Sequence, residues 1–265
     1  MVTARKGKVA VITGASSGIG AATAIRLAQG GHHVVLTARR RERLEQVAEH
    51  IYQEGGTAQL IVADLTREEE RLEVFQQVIS QHGHIDTLIN NAGFGWYGYT
   101  ESMPWPLAHQ MLQVNILALA QLTLLFLPGM KARDEGHIIN VGSIVGSLPS
   151  QGVAVYGATK AFIDAFTASI YRELSRTQVR ISVVRSGAVS SEFFEQSAGH
   201  SGGRRIPLER FSVSPEQVAS RISGLLKRPQ RVAYVPRILA VVPWLEMGFG
   251  WLIDRLGPLA LRAQG

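Results

Sequence analysis

Short apolar runs, rich in β-branched residues, alternate along the chain with longer segments in which apolar positions recur at helical spacing. The short runs predict seven β-strands, at residues 8–13, 33–38, 58–63, 87–92, 137–142, 180–185 and 231–235. The longer segments predict helices near residues 18–30, 41–54, 67–82, 105–127, 153–175 and 215–228. Because the strands are apolar on both faces and parallel neighbours need helical crossovers, the pattern predicts an α/β fold: a doubly wound, parallel, seven-stranded sheet with helices on both faces.

Two units follow from this pattern, a single α/β domain over residues 1–236 and an apolar C-terminal extension over residues 237–265. The extension is interrupted by Pro243, Glu246, Gly248, Gly250 and Asp254, so we do not expect a membrane-spanning helix there. Three roles stay open for it: cover over a substrate entrance, a subunit interface, or a segment on a bilayer surface. Residues 190–212 lack periodicity, which fits a mobile loop over a site and a plain surface excursion equally well.

Composition excludes several kinds of function. The 265 residues include no cysteine, which excludes disulfides, thiolate catalysis and cysteine metal sites. The net charge of +6 is not gathered into a long basic block interleaved with aromatic residues, so nucleic acid is not an expected partner. No run reaches about 18 uninterrupted apolar residues, and the first run leads into a glycine-rich turn, so we expect neither a spanning helix nor a signal peptide. We expect a cytoplasmic protein, with peripheral membrane contact through the extension as the alternative.

The first predicted strand leads directly into TGASSGIG, with glycines at 14, 18 and 20. A backbone that turns sharply and then approaches a pyrophosphate closely has no room for a Cβ at every position, and the following helix N-terminus presents free N–H groups to an anion. The motif lies between a strand and a helix, which is the context that dinucleotide binding requires. We therefore predict a dinucleotide site of the Rossmann type rather than a merely structural turn.

The end of the second strand discriminates between the two nicotinamide cofactors. Enzymes selective for NAD place an Asp or Glu at this point to bind the ribose 2′-hydroxyl. Here the strand ends in Thr37, Ala38, Arg39 and Arg40, and Arg39 is suited to pair with a 2′-phosphate. The sequence therefore favours NADP(H), with NAD(H) as the alternative; Arg39 on a merely solvated face is the other interpretation. Asp64, at the end of the third strand, is placed to contact an adenine amino group.

The segment YGATK places Tyr156 and Lys160 four residues apart at the start of a predicted helix. Residues at this spacing lie on one helical face, so the ammonium group is within reach of the phenol. Two unit charges about 4 Å apart at an effective dielectric constant of about 20 interact by ~4 kcal/mol, enough to move a phenol pKa from ~10 to ~7. We therefore expect Lys160 to lower the pKa of Tyr156, although the same spacing also occurs by chance on solvated helices.

Together these motifs make the chain resemble the short-chain dehydrogenase/reductase family over residues 6 to 235. The matching segments are TGASSGIG (13–20), DL (64–65), NNAG (90–93), QVNILA with Asn115, NVGSIVG with Ser143, and YGATK (156–160). The resemblance implies an oxidoreductase that interconverts a carbonyl and a secondary alcohol, without a metal.

The resemblance also implies a role for each catalytic residue. Tyr156 would be the general acid or base, and Lys160 would lower its pKa and bind the nicotinamide ribose. Ser143 would bind the substrate oxygen and stabilise its developing charge. Asn115 would hold a water molecule that connects Lys160 to solvent.

The predicted cofactor-binding residues come from the glycine turn, the strand ends and the family motifs. They are Gly14, Ser16, Ser17, Gly18, Ile19, Gly20, Arg39, Asp64, Leu65, Asn91, Ala92, Gly93, Tyr156, Lys160, Gly187, Val189 and Ser191. One position departs from the family pattern, because Ser186 stands where a proline usually precedes Gly187. Since proline fixes φ, we expect its absence to loosen the turn that follows the sixth strand.

An apolar wall is predicted for the substrate pocket, which favours a lipid-like, steroid-like or aromatic substrate over a small polar one. Its residues are Phe94, Trp96, Tyr97, Val145, Pro149, Val153, Val189, Phe193 and Phe194. Two alternatives stay open: a non-catalytic dinucleotide sensor, and a nucleotide-sugar epimerase of the same fold. The family resemblance further implies a homodimer or homotetramer. The candidate subunit surface consists of Ala161, Phe162, Ala165, Phe166 and Ser169.

Overall fold

The computed structural model describes residues 7–190 and 212–262, and its sheet confirms the predicted fold. Seven parallel strands form one sheet in the order β3-β2-β1-β4-β5-β6-β7. The strands are β1 (Val9–Thr13), β2 (His33–Ala38), β3 (Thr57–Val62), β4 (Thr87–Asn90), β5 (His137–Ser143), β6 (Arg180–Ser186) and β7 (Val232–Val235). The order reverses between β1 and β4, so the carboxyl ends of these two strands frame the crevice where doubly wound sheets bind ligands.

Helices cover both faces of this sheet. They are α1 (Gly18–Gln29), α2 (Arg41–Gln53), α3 (Glu68–His82), α4 (Trp105–Leu112), α5 (Leu119–Arg133), α6 (Ala154–Glu173), α7 (Pro215–Lys227) and α8 (Val242–Arg262). A π-helical turn, Gln113–Ala118, joins α4 to α5 without a break. The predicted strands and helices are confirmed, most of them to within one residue at each end.

Successive residues of each central strand pack into opposite halves of the core. Ile12 and Leu36 belong to the half beneath α1, α2 and α7, whereas Val11 and Val35 belong to the half beneath α3, α5 and α6. All four side chains have no exposed surface. Because neighbouring side chains of a strand point to opposite faces, both halves need apolar residues, which explains the continuous apolar runs of the sequence.

A buried polar network ties the centre of the sheet to two helices. The Asn90 amide donates to Thr123 Oγ1 at 3.0 Å and to Asn140 Oδ1 at 2.9 Å. The Asn140 amide donates to Thr167 Oγ1 at 2.8 Å. Buried amides are costly when unpaired, so this network fixes α5 and α6 against the strands that carry the functional site.

The long helix that contains α4, the π-helical turn and α5 extends further than predicted. The sequence pattern ended it at residue 127, yet it continues through Pro128 to Arg133. A proline leaves the carbonyl group four residues earlier without a partner, and here that residue is the exposed Leu124. Water can reach a carbonyl group on an exposed face, which is the physical reason that the helix tolerates Pro128.

This 29-residue helix, Trp105–Arg133, is also apolar enough to cross a membrane, with a mean hydropathy of 1.7 in its most apolar window. No such segment was expected from the sequence, because polar residues interrupt its apolar run. The helix packs onto the sheet through Leu122, Phe126 and Met130. Core helices of globular domains meet the same length and composition conditions, so this packing accounts for its apolar character.

The C-terminal extension forms a continuous helix, in contrast to the expected interruptions. After a 3₁₀ turn, Arg237–Val241, helix α8 runs for 21 residues from Val242 to Arg262. Pro243 lies in the first turn, where backbone N–H groups have no partner within the helix, so the lack of an N–H group in proline costs nothing there. Gly248 and Gly250 weaken a helix without ending it.

Candidate active site

A cleft of about 710 Å³ opens at the carboxyl ends of the strands and collects most of the predicted residues. The predicted residues that line it are Gly14, Ser16, Ser17, Gly18, Ile19, Arg39, Asp64, Leu65, Asn91, Ala92, Gly93, Phe94, Trp96, Ser143, Val145, Val153, Tyr156, Lys160, Gly187 and Val189. Ser191, Phe193 and Phe194 lie outside the described residues. The candidate cofactor site and the candidate catalytic residues therefore share one cavity.

The glycine turn has the geometry of a phosphate cradle. Gly14 has a φ of +64°, and a Cβ there would lie 2.9 Å from the Ala92 Cα. A Cβ on Gly20 would lie 2.2 Å from the carbonyl oxygen of Gly14. Side chains are thus excluded at both positions, and the N-terminus of α1 opens into the cleft. This arrangement fits the pyrophosphate of a dinucleotide.

Asn91 fastens the end of β4 to this turn. Its side-chain amide donates to the carbonyl oxygens of Thr13 at 2.9 Å and Gly14 at 3.2 Å. The Thr13 hydroxyl in turn accepts hydrogen bonds from the N–H groups of Asn91 and Ala92, both at 2.9 Å. These contacts hold the two strand ends that border the dinucleotide site in one fixed geometry.

Arg40, which was not singled out from the sequence, contacts the serines of the turn. Its guanidinium donates to Ser17 Oγ at 2.8 Å and to Ser16 Oγ at 3.3 Å. Arg39 also lines the cleft, although its side chain is exposed. Both arginines therefore border the cleft beside the glycine turn, and Arg40 is the one that hydrogen bonds hold in place.

The loop after β3 is fixed by Arg71, a buried arginine that sequence reasoning missed. Its guanidinium donates to the carbonyl oxygens of Leu65 at 2.8 Å and Thr66 at 3.2 Å. Asp64 Oδ1 accepts hydrogen bonds from the Thr66 N–H at 3.0 Å and from its hydroxyl at 2.9 Å. The carboxylate of Asp64 is thus oriented by its own loop at the mouth of the cleft.

Tyr156 and Ser143 lie together in the lining of the cleft. Burial raises the pKa of Tyr156 to about 12, and a hydrogen bond with Ser143 partly opposes that rise. Ser143 is buried at the end of β5, and its hydroxyl lies 3.4 Å from the carbonyl oxygen of Ser186. With this pKa the phenol is protonated at neutral pH.

Lys160 lies one turn further along α6, with its Nζ 5.6 Å from the centre of the Tyr156 ring. The ammonium group is buried and donates to the carbonyl oxygen of Val141 at 2.9 Å. Burial lowers the pKa of Lys160 to about 8, and the charge of Asp164 opposes that change. The expected lowering of the Tyr156 pKa by Lys160 is therefore not found in the protein alone: burial raises that pKa, and the hydrogen bond with Ser143 is what opposes the rise.

Asp164 adds a third group to this face of α6, one turn beyond Lys160. Its Oδ1 accepts a hydrogen bond from Arg185 Nε at 2.9 Å, and Arg185 donates in addition to the Tyr234 hydroxyl at 2.8 Å. A Cβ on Gly146 would lie 2.8 Å from Asp164 Oδ2 and 2.8 Å from the carbonyl oxygen of Lys160. A glycine at 146 is what permits this close packing behind Lys160.

Asn115 lies in the π-helical turn, buried behind the cleft rather than on its wall. Its amide donates to the carbonyl oxygen of Phe94 at 2.9 Å and to Thr159 Oγ1 at 3.0 Å, and its Oδ1 accepts the N–H of Phe94 at 3.1 Å. A Cβ on Gly93 would lie 2.8 Å from this same oxygen. The side chain therefore connects the loop after β4 to α6; the water relay stays a prediction.

Two residues of the predicted substrate wall do not face the cleft. Pro149 is exposed at the end of its loop, and Tyr97 is buried against Gly152, where a Cβ would lie 2.7 Å from its ring. Both follow apolar motifs that line the cleft, so sequence proximity was misleading. In the turn after β6, where Ser186 replaces the usual proline, the Ser190 N–H donates to the Val213 carbonyl oxygen at 3.0 Å and the Val213 N–H donates to the Ala188 carbonyl oxygen at 2.8 Å. The looser turn that we expect without proline stays a prediction.

A family model described as short chain dehydrogenase matches residues 8–201. The chain belongs to the short-chain dehydrogenase family. An uncharacterized oxidoreductase of Staphylococcus epidermidis is 35% identical to this short-chain dehydrogenase over 227 residues, which are 86% of this chain and 94% of the relative. A fatty acyl-CoA reductase of Acinetobacter baylyi is 36% identical over 231 residues, which are 86% of this chain and 76% of the relative.

A solved structure of a metagenomic short-chain oxidoreductase in complex with NADP is 33% identical to this chain, with a TM-score of 0.73. The match covers 86% of this chain and 95% of that one. This short-chain dehydrogenase is therefore an oxidoreductase by family, as the motifs predicted.

The substrate end of this short-chain dehydrogenase includes two residues that the sequence did not single out. Gln110 of α4 and Val114 of the π-helical turn line the same cleft as Ser143, Tyr156 and Lys160. Their spacing of four residues on a predicted helix placed them on one face, but nothing in the pattern indicated that this face borders the cavity.

Proposed function

We propose that this short-chain dehydrogenase uses NADPH to reduce the carbonyl group of an apolar substrate to an alcohol, and that it also runs the reverse oxidation. The observation that carries the proposal is the shared cleft, in which Ser143, Tyr156 and Lys160 lie on one wall and the glycine turn lies at the other end. NADPH, when bound, supplies the hydride. The chain's own residues orient the carbonyl oxygen and deliver the proton.

Tyr156 donates that proton in the direction of reduction. A phenol with a pKa of about 12 is protonated at neutral pH, which is the form that a general acid requires. The Ser143 hydroxyl, on the same wall, stabilises negative charge on the substrate oxygen. Lys160, whose pKa of about 8 lies near neutrality, is placed to return a proton to the phenol.

Selectivity for NADP(H) over NAD(H) rests on the two arginines at the end of β2. Arg40 is held against Ser16 and Ser17, and Arg39 is free to turn toward the same place. Guanidinium groups favour a 2′-phosphate, and no carboxylate is present there to bind a 2′-hydroxyl. The related metagenomic oxidoreductase was solved with NADP, which supports the same preference.

An apolar substrate is supported by the described lining of the cleft. Phe94, Trp96, Val145, Val153 and Val189 border the space beside Tyr156. The relative from Acinetobacter baylyi is a fatty acyl-CoA reductase by name, which is in keeping with a long apolar chain as part of the substrate. We accordingly favour aliphatic and aromatic ketones and aldehydes over small polyols. A cytoplasmic location and a homodimer or homotetramer stay predictions.

The test is NADPH oxidation by the purified protein over a panel of apolar ketones and aldehydes, with NADH in parallel. Tyr156→Phe should lower kcat by roughly 100- to 10,000-fold and leave NADPH binding intact. Tyr171→Phe, an exposed tyrosine on the same helix, is the matched control and should retain full activity. Tight NADPH binding without turnover of any substrate would instead support a dinucleotide sensor. Turnover of a substrate without net oxidation of the cofactor would support an epimerase.

A further inference from the structure

Helix α8 turns its apolar face away from the protein. Six large apolar side chains point outward and are exposed, and we call them the outer face: Trp244, Leu245, Met247, Phe249, Trp251 and Leu252. Trp244 is 71% exposed, Met247 72% and Trp251 64%. Contiguous apolar surface of this size is unusual on a monomeric soluble domain and marks a contact with something apolar.

The arrangement around the helix axis shows that this exposure is one-sided. At about 100° per residue, the outer face covers an arc of about 200°. The partly buried residues Val242, Pro243, Glu246 and Gly250 fall in the remaining arc. The usual pattern of a surface helix is therefore inverted, because the large apolar residues form the more exposed arc.

Basic residues are concentrated in the part of the chain that leads into α8 and includes its outer face. Between residues 221 and 255 the chain has six Lys or Arg and two Asp or Glu, a net charge of +4 out of +6 for the whole chain. Arg255 is exposed and follows Trp251 by one helical turn. Burial and then the nearby charge of Arg237 lower the pKa of Arg221, so two of the cations lie close to each other beside the start of α8.

From these observations we propose that the outer face of α8 binds the surface of a membrane that contains anionic lipids. A helix of this kind lies in the interface plane, with its apolar side chains in the acyl boundary and its cations at the phosphate groups. Tryptophan is the side chain most typical of that depth. A second copy of the chain is a poorer partner, because a twofold contact through this face would bring two basic regions together.

The position of α8 places such a membrane next to the cleft. A Cβ on Gly187, which lines the cleft, would lie 3.2 Å from Leu239 Cδ1 in the turn that leads into α8. The surface that contacts lipid therefore begins beside the substrate end of the site. This assignment concerns binding alone and does not depend on the proposed reaction.

The experiment is flotation of the purified full-length protein with vesicles of phosphatidylcholine, with and without phosphatidylglycerol, at low and high salt. We expect about tenfold more protein to float with the anionic vesicles, and this excess to fall at high salt. The triple variant Trp244→Ser/Phe249→Ser/Trp251→Ser should lose the flotation. Trp105→Ser, which removes an equally exposed tryptophan outside the outer face, is the matched control and should float like the wild type.

Three results would overturn the proposal. The first is equal flotation of the wild type with neutral and anionic vesicles, and the second is flotation of the triple variant equal to that of the wild type. The third is no flotation of the wild type together with a change from dimer to monomer in the triple variant, which would assign the outer face to a subunit contact. NADPH binding by the triple variant, measured alongside, verifies that it is folded. Failure of the proposed reductase activity would leave each of these results unchanged.

Discussion

Asp164 Oδ1 accepts a hydrogen bond from Arg185 Nε at 2.9 Å, and both side chains are nearly buried, with 11% and 16% of their surface exposed. Asp164 lies one turn of α6 beyond Lys160. Burial lowers the pKa of that lysine to about 8, and the negative charge of Asp164 partly opposes the lowering. Asp164 therefore links Arg185 of β6 to the titration of Lys160. This relationship has consequences for both stability and pH dependence.

Asp164→Asn should destabilise the protein, because it leaves the Arg185 guanidinium buried without a counter-charge. Removal of one partner of a buried ion pair costs about 3–5 kcal/mol in free energy of unfolding. The matched control is Glu135→Gln, which removes an exposed ion pair with the same 2.9 Å distance, Lys8–Glu135, and should cost less than about 1 kcal/mol. Urea denaturation measures both, and equal losses would show that Arg185 finds another partner.

The rate of carbonyl reduction should be constant at neutral pH and fall as the pH rises through about 8. The pKa of Lys160 is about 8, so its ammonium form, which returns the proton to Tyr156, is lost above that value. Asp164 raises this pKa, and hence Asp164→Asn should move the falling limb to lower pH. The pH profile of kcat measures the shift, and a limb that stays in place would contradict the coupling.

Arg40→Ala should raise KM for NADPH by roughly 10- to 100-fold and leave KM for NADH nearly unchanged, because a hydrogen bond to a charged group contributes about 1.5–3 kcal/mol. Arg39→Ala, measured in parallel, determines which of the two arginines dominates. Arg41→Ala is the control. This arginine is the first residue of α2, directly after Arg40, and its guanidinium lies 3.9 Å from the carboxylate of Glu45. Equal losses with both cofactors for Arg40→Ala would mean that Arg40 only shapes the glycine turn.

His137 should make the protein less stable as the pH falls below neutrality. Burial lowers its pKa from 6.5 to about 4, so between those values the unfolded chain takes up a proton that the folded protein excludes. The stability present above pH 6.5 is therefore lost by up to about 3 kcal/mol as the pH falls to 4, at ~1.36 kcal/mol per pKa unit. His137→Gln should remove this dependence, whereas His109→Gln, at an exposed position, should leave it unchanged. Unfolding free energies at a series of pH values provide the comparison.

The sheet could be predicted from the sequence because its strands are buried on both faces, as the opposite packing of Val11 and Ile12 shows. The end of β4 could not be predicted in this way. The apolar pattern runs to residue 92, but the strand stops at Asn90 because the N–H group of Asn91 donates to the Thr13 hydroxyl instead of to a neighbouring strand. Helix α8 was not predicted either, because the sequence pattern treats a proline as an interruption wherever it occurs. Its position in the first turn of the helix decides the outcome.

In the site, sequence spacing determines which residues meet, whereas the pKa of a side chain and the direction in which it points depend on its three-dimensional surroundings. Tyr156 and Lys160 meet as predicted, because one turn of helix fixes their distance. The pKa of Tyr156 did not follow, since its main cause is burial, which depends on every element around the phenol. Arg40 rather than Arg39 contacts the serines for a similar reason, because neighbouring residues at a strand end point in different directions.

The π-helical turn Gln113–Ala118 rotates the α5 part of the long helix about the helix axis relative to the α4 part. One extra residue in a turn rotates everything after it by about 100° relative to an uninterrupted α-helix. The α4 half can thus aim Gln110 at the cleft while the α5 half aims Leu122 and Phe126 at the core. Substitutions that change the lining of the cleft consequently fall in α4, and substitutions that repack the core fall in α5. The shape of the cleft and the packing of the core can therefore change separately among related proteins.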